Sequence, residues 1–164
     1  MITLVIGGAR SGKSEVAERL AARSGDPVTY VATGVATDPD MEDRIAAHRR
    51  RRPASWRTVE CGAELPAVLR QTRGTVLVDA LGTWLAGLDA FRADTDAVCS
   101  ALADRAEPTF VVTEEVGLGV HPSTEPGRRF RDALGDLNRA VAAVADEVLL
   151  VVAGRVLPLG RPDV

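Results

Sequence analysis

Leu4-Val5-Ile6-Gly7-Gly8-Ala9-Arg10-Ser11-Gly12-Lys13-Ser14 joins a short apolar run to a glycine-bounded loop and then to a helical pattern. From Gly7 onward it fits G-x-x-x-x-G-K-[ST], and the flanking strand and helix are the context that this motif needs. Glycines let the backbone curl so that successive N–H groups and the helix N-terminus face phosphate oxygens. Lys13 would reach the outer phosphates and the Ser14 hydroxyl would ligate Mg²⁺. A chance glycine turn is the bland alternative, and the agreement of the flanking elements argues against it.

The rest of the chain sharpens this reading. Lys13 is the only lysine among 20 basic residues; all the others are arginine. A chain that uses arginine everywhere else but lysine here is one that needs a compact point charge at this position. With 164 residues and 46% hydrophobic content, the chain is sized for one domain spanning residues 1–164. The net charge of −3 excludes a global positive field that would gather nucleic acid or anionic lipid. Cys61 and Cys99 belong to no CxxC or Cys/His cluster, so no disulfide framework or zinc site is expected, and a reducing cytoplasm fits. The apolar stretch ending at Ile6 is too short for a signal sequence or a membrane span.

Strand-like runs alternate with amphipathic helical stretches, which is an α/β pattern. Strands are predicted over 3–6, 28–32, 56–60, 75–79, 109–113 and 148–152, and helices over 13–23 and 81–88. Gly25-Asp26-Pro27 reads as a turn. Asp38 as N-cap, Pro39 and Pro53 punctuate a further helix running through Arg52. Asp94 caps another that ends before Pro108, and Phe130, Leu134, Leu137, Val141 and Val144 mark the longest. A mostly parallel sheet covered on both faces follows, with ligands at the C-terminal edge of its strands.

Three further features carry candidate chemistry. Asp79 closes the strand over 75–79, where a phosphate-binding enzyme places the acid that organises magnesium; it could instead cap the following helix. His48 precedes Arg49, Arg50, Arg51 and Arg52. On a helix these arginines point about 100° apart, so some are solvated and complement the helix dipole. The functional alternative makes His48 a nucleophile toward a nucleotide phosphate, with arginines neutralising it. Nucleic-acid binding by so short a run in an acidic chain is the weaker reading. Glu60 ends a strand, Glu114 and Glu115 follow one, and each could face a ligand, cap a helix or lie on the surface. His121, before Pro122, reads as a loop residue.

Over nearly the whole chain the sequence resembles the bifunctional adenosylcobinamide kinase/adenosylcobinamide-phosphate guanylyltransferase family of cobalamin biosynthesis. The resemblance rests on Gly8-Ala9-Arg10-Ser11-Gly12-Lys13-Ser14, Tyr30-Val31-Ala32-Thr33, Met41, Arg44-Ile45, His48, Arg52-Pro53, Trp56, Thr58 and Glu60. It continues through Asp79, Leu81, Trp84-Leu85, Glu115-Val116-Gly117-Leu118-Gly119, Phe130-Arg131-Asp132, Asn138 and Ala145-Asp146-Glu147-Val148. Two departures stand out: Glu114 occupies a place where asparagine is common, and His121 one where an apolar residue precedes the proline.

The resemblance implies a RecA-like P-loop NTPase fold of three layers with a mostly parallel central sheet. It implies phosphorylation of adenosylcobinamide by ATP or GTP, then transfer of GMP from GTP to adenosylcobinamide-phosphate, with Mg²⁺ as cofactor. His48 would carry GMP, with Lys13 as the other catalytic residue. Nucleotide contacts would fall on Gly7, Gly8, Ala9, Arg10, Ser11, Gly12, Lys13, Ser14, Ala32, Thr33, Gly34, Arg49, Arg50, Arg51, Arg52, Glu60 and Asp79. Ser14 and Asp79 would hold the metal. The resemblance also implies a homotrimer, while the cysteine usage and net charge point to a cytoplasmic protein with neither nucleic acid nor membrane as partner. The alternatives are a plain P-loop small-molecule kinase without guanylyl transfer and a nucleotide-dependent binding module.

Overall fold

Runs of Val, Ile and Leu that are apolar on both faces can be satisfied only in a sheet covered on both sides. The computed structural model, which describes residues 1–25, 27–34, 50 and 52–161, shows such a sheet. Its strands are β1 (Ile2–Gly7), β2 (Val28–Ala32), β3 (Arg57–Glu60), β4 (Thr75–Asp79), β5 (Thr109–Glu114), β6 (Glu147–Val152) and β7 (Arg155–Pro158). They lie in the order β3-β2-β4-β5-β1-β6-β7. Every neighbouring pair is parallel except β6 and β7, which form an antiparallel hairpin.

Alternation along the strands divides the apolar residues between two cores. Val5, Tyr30, Leu77, Phe110, Val112 and Val151 pack against helix α1 (Lys13–Arg23) through Ala17 and Ala21. Leu4, Val76, Val78 and Val111 face the opposite way. There they meet α2 (Leu65–Gln71), α3 (Leu81–Ala86), α4 (Thr95–Ala103) and α5 (Glu125–Val144). The result is the three-layer arrangement with a mostly parallel sheet that the alternating pattern predicts.

Several boundaries coincide with the sequence reading: α1, β2 and β4 have the expected ends. Asp94 caps α4, accepting a hydrogen bond from the Ala97 N–H at 2.9 Å. Other elements differ. The strand expected from residue 56 begins at Arg57, and the helix expected over 81–88 ends at Ala86. α2 and β7 were not expected, the first being short with Pro66 in its opening turn, the second lying on a largely exposed edge. α5 starts at Glu125, before the first of the periodic residues, with Thr124 as its cap. The helix expected between Asp38 and Arg52, with His48, Arg49 and Arg51, lies outside the described residues, as does Asp26 of the expected turn.

One buried cation braces the helical face. Arg105 follows α4 and donates from Nη1 to the carbonyls of Leu69 and Thr72, from Nη2 to that of Gly74, and from Nε to Thr109 Oγ1, all within 2.8 Å. It thereby satisfies carbonyls left over at and beyond the end of α2, which could not otherwise be buried cheaply. Burial pushes its pKa down from the usual guanidinium value. Truncating Arg105 to Ala should destabilise the fold by about 3 kcal/mol in urea unfolding, because the carbonyls lose their donors. Arg105→Lys, which lacks the fork, should recover only part of that loss.

Candidate active site

β1 delivers its last residue, Gly7, into a position that admits no side chain: a Cβ there would lie 2.6 Å from both Ser11 Oγ and the Val151 carbonyl oxygen. The chain then turns with Arg10 at φ 57° and Gly12 at φ 91°. Ser11 N–H donates to the Gly8 carbonyl at 3.3 Å, and Lys13 Nζ donates to the same oxygen at 3.3 Å. From the far side, the turn of the β6–β7 hairpin braces the loop, with Gly154 N–H donating to Ser11 O at 2.7 Å. α1 opens directly from the loop, and its N-cap, Gly12, supplies no side-chain acceptor. The first-turn N–H groups are thus left to bind an anion, as the motif predicts.

Asp79 comes from the end of β4. The helix-cap alternative for it is answered by the neighbouring residues: Ala80 is the N-cap of α3, and Thr83 Oγ1 accepts from the Ala80 N–H at 3.2 Å. The Asp79 carboxylate turns instead to the loop. Ser14 Oγ donates to Oδ1 at 3.1 Å and the Tyr30 hydroxyl to Oδ2 at 2.9 Å. Ser14 and Asp79, on different elements, therefore meet as a pair of hard oxygen donors. Thr33 supports the same corner, its hydroxyl accepting from Ala80 N–H at 2.7 Å and donating to Ala80 O at 2.8 Å.

Glu114, whose place at the end of a strand left its role open in the sequence, joins this edge. β5 lies between β1 and β4, so its last residue arrives between the phosphate loop and Asp79. Oε1 stands 3.6 Å from Lys13 Nζ, and Oε2 accepts the Gly82 N–H at 3.1 Å. Any side chain at position 82 would collide with that oxygen, which accounts for glycine inside α3. Burial pushes the Glu114 carboxyl pKa up, against the opposing pull of Lys13. The sequence signal was its place at the end of a strand, but strand order was needed to interpret it. Glu115, by contrast, folds onto its own loop and accepts the Gly117 N–H at 2.5 Å.

The remaining candidates spread along the same edge. Ala32 registers with Asp79 on one side and with Glu60 on the other, so the three form one row across adjacent strands. With strands about 4.8 Å apart, Glu60 sits roughly 10 Å from Asp79 at the sheet's rim. Gly34 follows β2, Ala9 and Arg10 are exposed on the crest of the loop, and Arg50 is exposed. Arg52 lies with its guanidinium carbon 3.6 Å from the centroid of the Tyr30 ring, and Nη1 donates to Thr58 Oγ1 at 3.3 Å. His48, Arg49 and Arg51 lie outside the described residues.

Glu114 gives a pH-dependent expectation. A carboxyl whose folded pKa is raised binds its proton more tightly in the native state, so its ionisation opposes folding as pH rises through the folded value. Glu114→Gln should therefore be more stable than the parent at pH 7, and the difference should vanish below about pH 4, where both side chains are neutral. The same change frees Lys13 and should tighten nucleotide binding at pH 7; urea unfolding of both proteins across this pH range checks the first effect, and titration calorimetry at pH 7 the second.

Residues 3–159 of the chain match the family described as cobinamide kinase / cobinamide phosphate guanyltransferase. The chain is 45% identical to a bifunctional adenosylcobalamin biosynthesis protein, CobP, of Pseudomonas aeruginosa, over 99% of each chain. It is 36% identical to the bifunctional adenosylcobalamin biosynthesis protein CobU of Salmonella typhimurium, over 94% of this chain and 97% of that one. Among solved structures, the flagellar accessory protein FlaH of Methanocaldococcus jannaschii shares the fold at 12% identity, with a TM-score of 0.54 over 94% of this chain and 74% of that one.

Proposed function

This chain belongs to the cobinamide kinase / cobinamide phosphate guanyltransferase family, and on that premise we propose how its residues divide the labour of the two reactions. It is a bifunctional enzyme of cobalamin biosynthesis: it phosphorylates adenosylcobinamide and then transfers GMP from GTP to adenosylcobinamide-phosphate. The observation that carries the assignment of residues is the meeting of Lys13, Ser14 and Asp79 at one edge of the sheet, in a chain matched almost end to end.

In the kinase step the substrate hydroxyl oxygen attacks the γ-phosphorus of ATP or GTP. The bond from that phosphorus to the β,γ-bridging oxygen breaks, the nucleoside diphosphate leaves, and the hydroxyl proton is released. The loop N–H groups and the start of α1 hold the phosphate chain, and Lys13 exchanges Glu114 for the outer phosphates. Ser14 Oγ and Asp79 Oδ1, 3.1 Å apart, fit Mg²⁺, an ion usually held by one or two protein oxygens together with phosphates and water. When bound, Mg²⁺ neutralises charge on the phosphates. Ala32, Thr33, Gly34 and Glu60 stand along the edge where the rest of the nucleotide would lie.

In the guanylyl step an imidazole nitrogen of His48 attacks the α-phosphorus of GTP and pyrophosphate leaves, forming a P–N bond. A phosphate oxygen of adenosylcobinamide-phosphate then attacks the same phosphorus, the P–N bond breaks, and free His48 and adenosylcobinamide-GDP result. Arginines 49 to 52 would neutralise the phosphates in this step. The acidic net charge supports a protein without a nucleic-acid partner. Among the described residues no helix is long and apolar enough to cross a membrane, which is compatible with a cytoplasmic enzyme. Exposed Val152, Val156 and Leu157 on the outer hairpin favour the homo-oligomer that the family resemblance implies.

GTP labelled at the α-phosphate should leave label on the protein in an acid-labile, alkali-stable form. His48→Ala should abolish that adduct while retaining conversion of adenosylcobinamide to its phosphate. A variant that still labels would remove His48 from the mechanism, and a parent protein that forms adenosylcobinamide-phosphate but never labels would point to the plain kinase.

A further inference from the structure

Tyr30, the only tyrosine in the chain, is buried in the core beneath α1, where a phenylalanine would fill the same volume. A buried hydroxyl is unfavourable unless it is bonded, so its one polar atom is the informative one. β2 lies beside β4 in the sheet, and this hydroxyl reaches across to Asp79 Oδ2 at 2.9 Å while Ser14 takes Oδ1 at 3.1 Å. A carboxylate engaged through both oxygens cannot rotate without breaking a bond. A phenolic O–H facing a carboxylate oxygen can only donate to it, so Tyr30 is the donor and Asp79 the acceptor.

The other face of the ring is also used. Arg52 lies over it at 3.6 Å, within the range of a cation–π contact, and is anchored to β3 through Thr58. A planar guanidinium suits such stacking better than an ammonium. Arg52 stands at the end of the arginine run, four residues after His48.

We propose that Tyr30 is a positioning residue that aims the Asp79 carboxylate toward Ser14 and at the same time seats Arg52, so that one side chain aligns the phosphate loop's acid with the chain entering β3. The proposal rests on the reading of Asp79 as the acid that organises the metal. It assigns Tyr30 no contact with substrate: its hydroxyl works through Asp79 and its ring through Arg52.

A single tyrosine makes the test direct, because protein labelled with [¹³Cζ]tyrosine gives one resonance. That resonance should move when Mg²⁺ and guanylyl imidodiphosphate are added together, and much less with the nucleotide and EDTA. In calorimetry, Tyr30→Phe should raise the Mg²⁺ concentration needed for half-saturation of the nucleotide complex about tenfold, the size expected for losing a hydrogen bond to a charged group. Arg52→Met should raise it about threefold more in the parent than in Tyr30→Leu, since whatever part of its effect passes through the ring disappears with the ring.

A Tyr30→Phe protein with the parental Mg²⁺ requirement, or a resonance indifferent to Mg²⁺, overturns the proposal. So does an Arg52→Met effect of equal size in Tyr30→Leu and in the parent, for the Arg52 half. Asp79→Asn separates the two levels of the argument. If it raises the Mg²⁺ requirement while Tyr30→Phe does not, only the positioning role fails; if it leaves the requirement unchanged, the assignment of Asp79 fails and the inference falls with it.

Discussion

The parallel register of β1 between β5 and β6 is the constraint on which the site depends. It sets Gly7 opposite Glu114 on one side and Val151 on the other. Because side chains alternate with period two, a slip of one residue in either ladder would exchange the two cores and turn Val5 and Leu4 to the wrong faces. The loop inherits its position from this pairing. Lys13, in the helix that follows β1, meets Glu114 because β5 is the neighbour of β1, and Ser14 meets Asp79 because β4 lies one strand further on.

Electrostatics then gives the site its character. The chain's one lysine is buried beside the Glu114 carboxylate, which also feels the charge of Asp79. Lys13 has Glu114 as its counterion, and the half-buried Asp79 accepts from Ser14, so each of these charges has a partner. Phosphate must compete with Glu114 for Lys13, and this chain carries glutamate where asparagine is common in the family it resembles. The balance between loop and nucleotide in this protein is thus set in part by a strand that carries no part of the phosphate motif.

Much of this was legible in the sequence, because the phosphate motif and its flanking elements are local: one strand, one turn and one helix, each with its own punctuation. Asp79 was ambiguous because a strand-terminal acid before a helix fits both a cap and a ligand. Only the placement of Thr83 at the Ala80 cap separates the two. Glu114 was harder to weigh, since its partners lie on β1 and α3, and strand order is not written in local periodicity. α2 and β7 escaped because the first is a short helix and the second a short, exposed edge whose side chains show no buried alternation. The pairing of Tyr30 with Asp79 likewise joins two strands that are distant in sequence and adjacent only in the sheet.

The hairpin turn that braces the phosphate loop also sets an order in time. β1 leaves the ribosome first, yet its two neighbours begin at Thr109 and Glu147, and the Gly154 N–H that holds Ser11 comes later still. Contacts of such long sequence separation form late, after much chain entropy has been lost. A nascent or truncated polypeptide can therefore carry every residue of the nucleotide motif before the motif has its shape. In a fragment ending short of Gly154, the sequence pattern alone does not ensure a formed phosphate cradle.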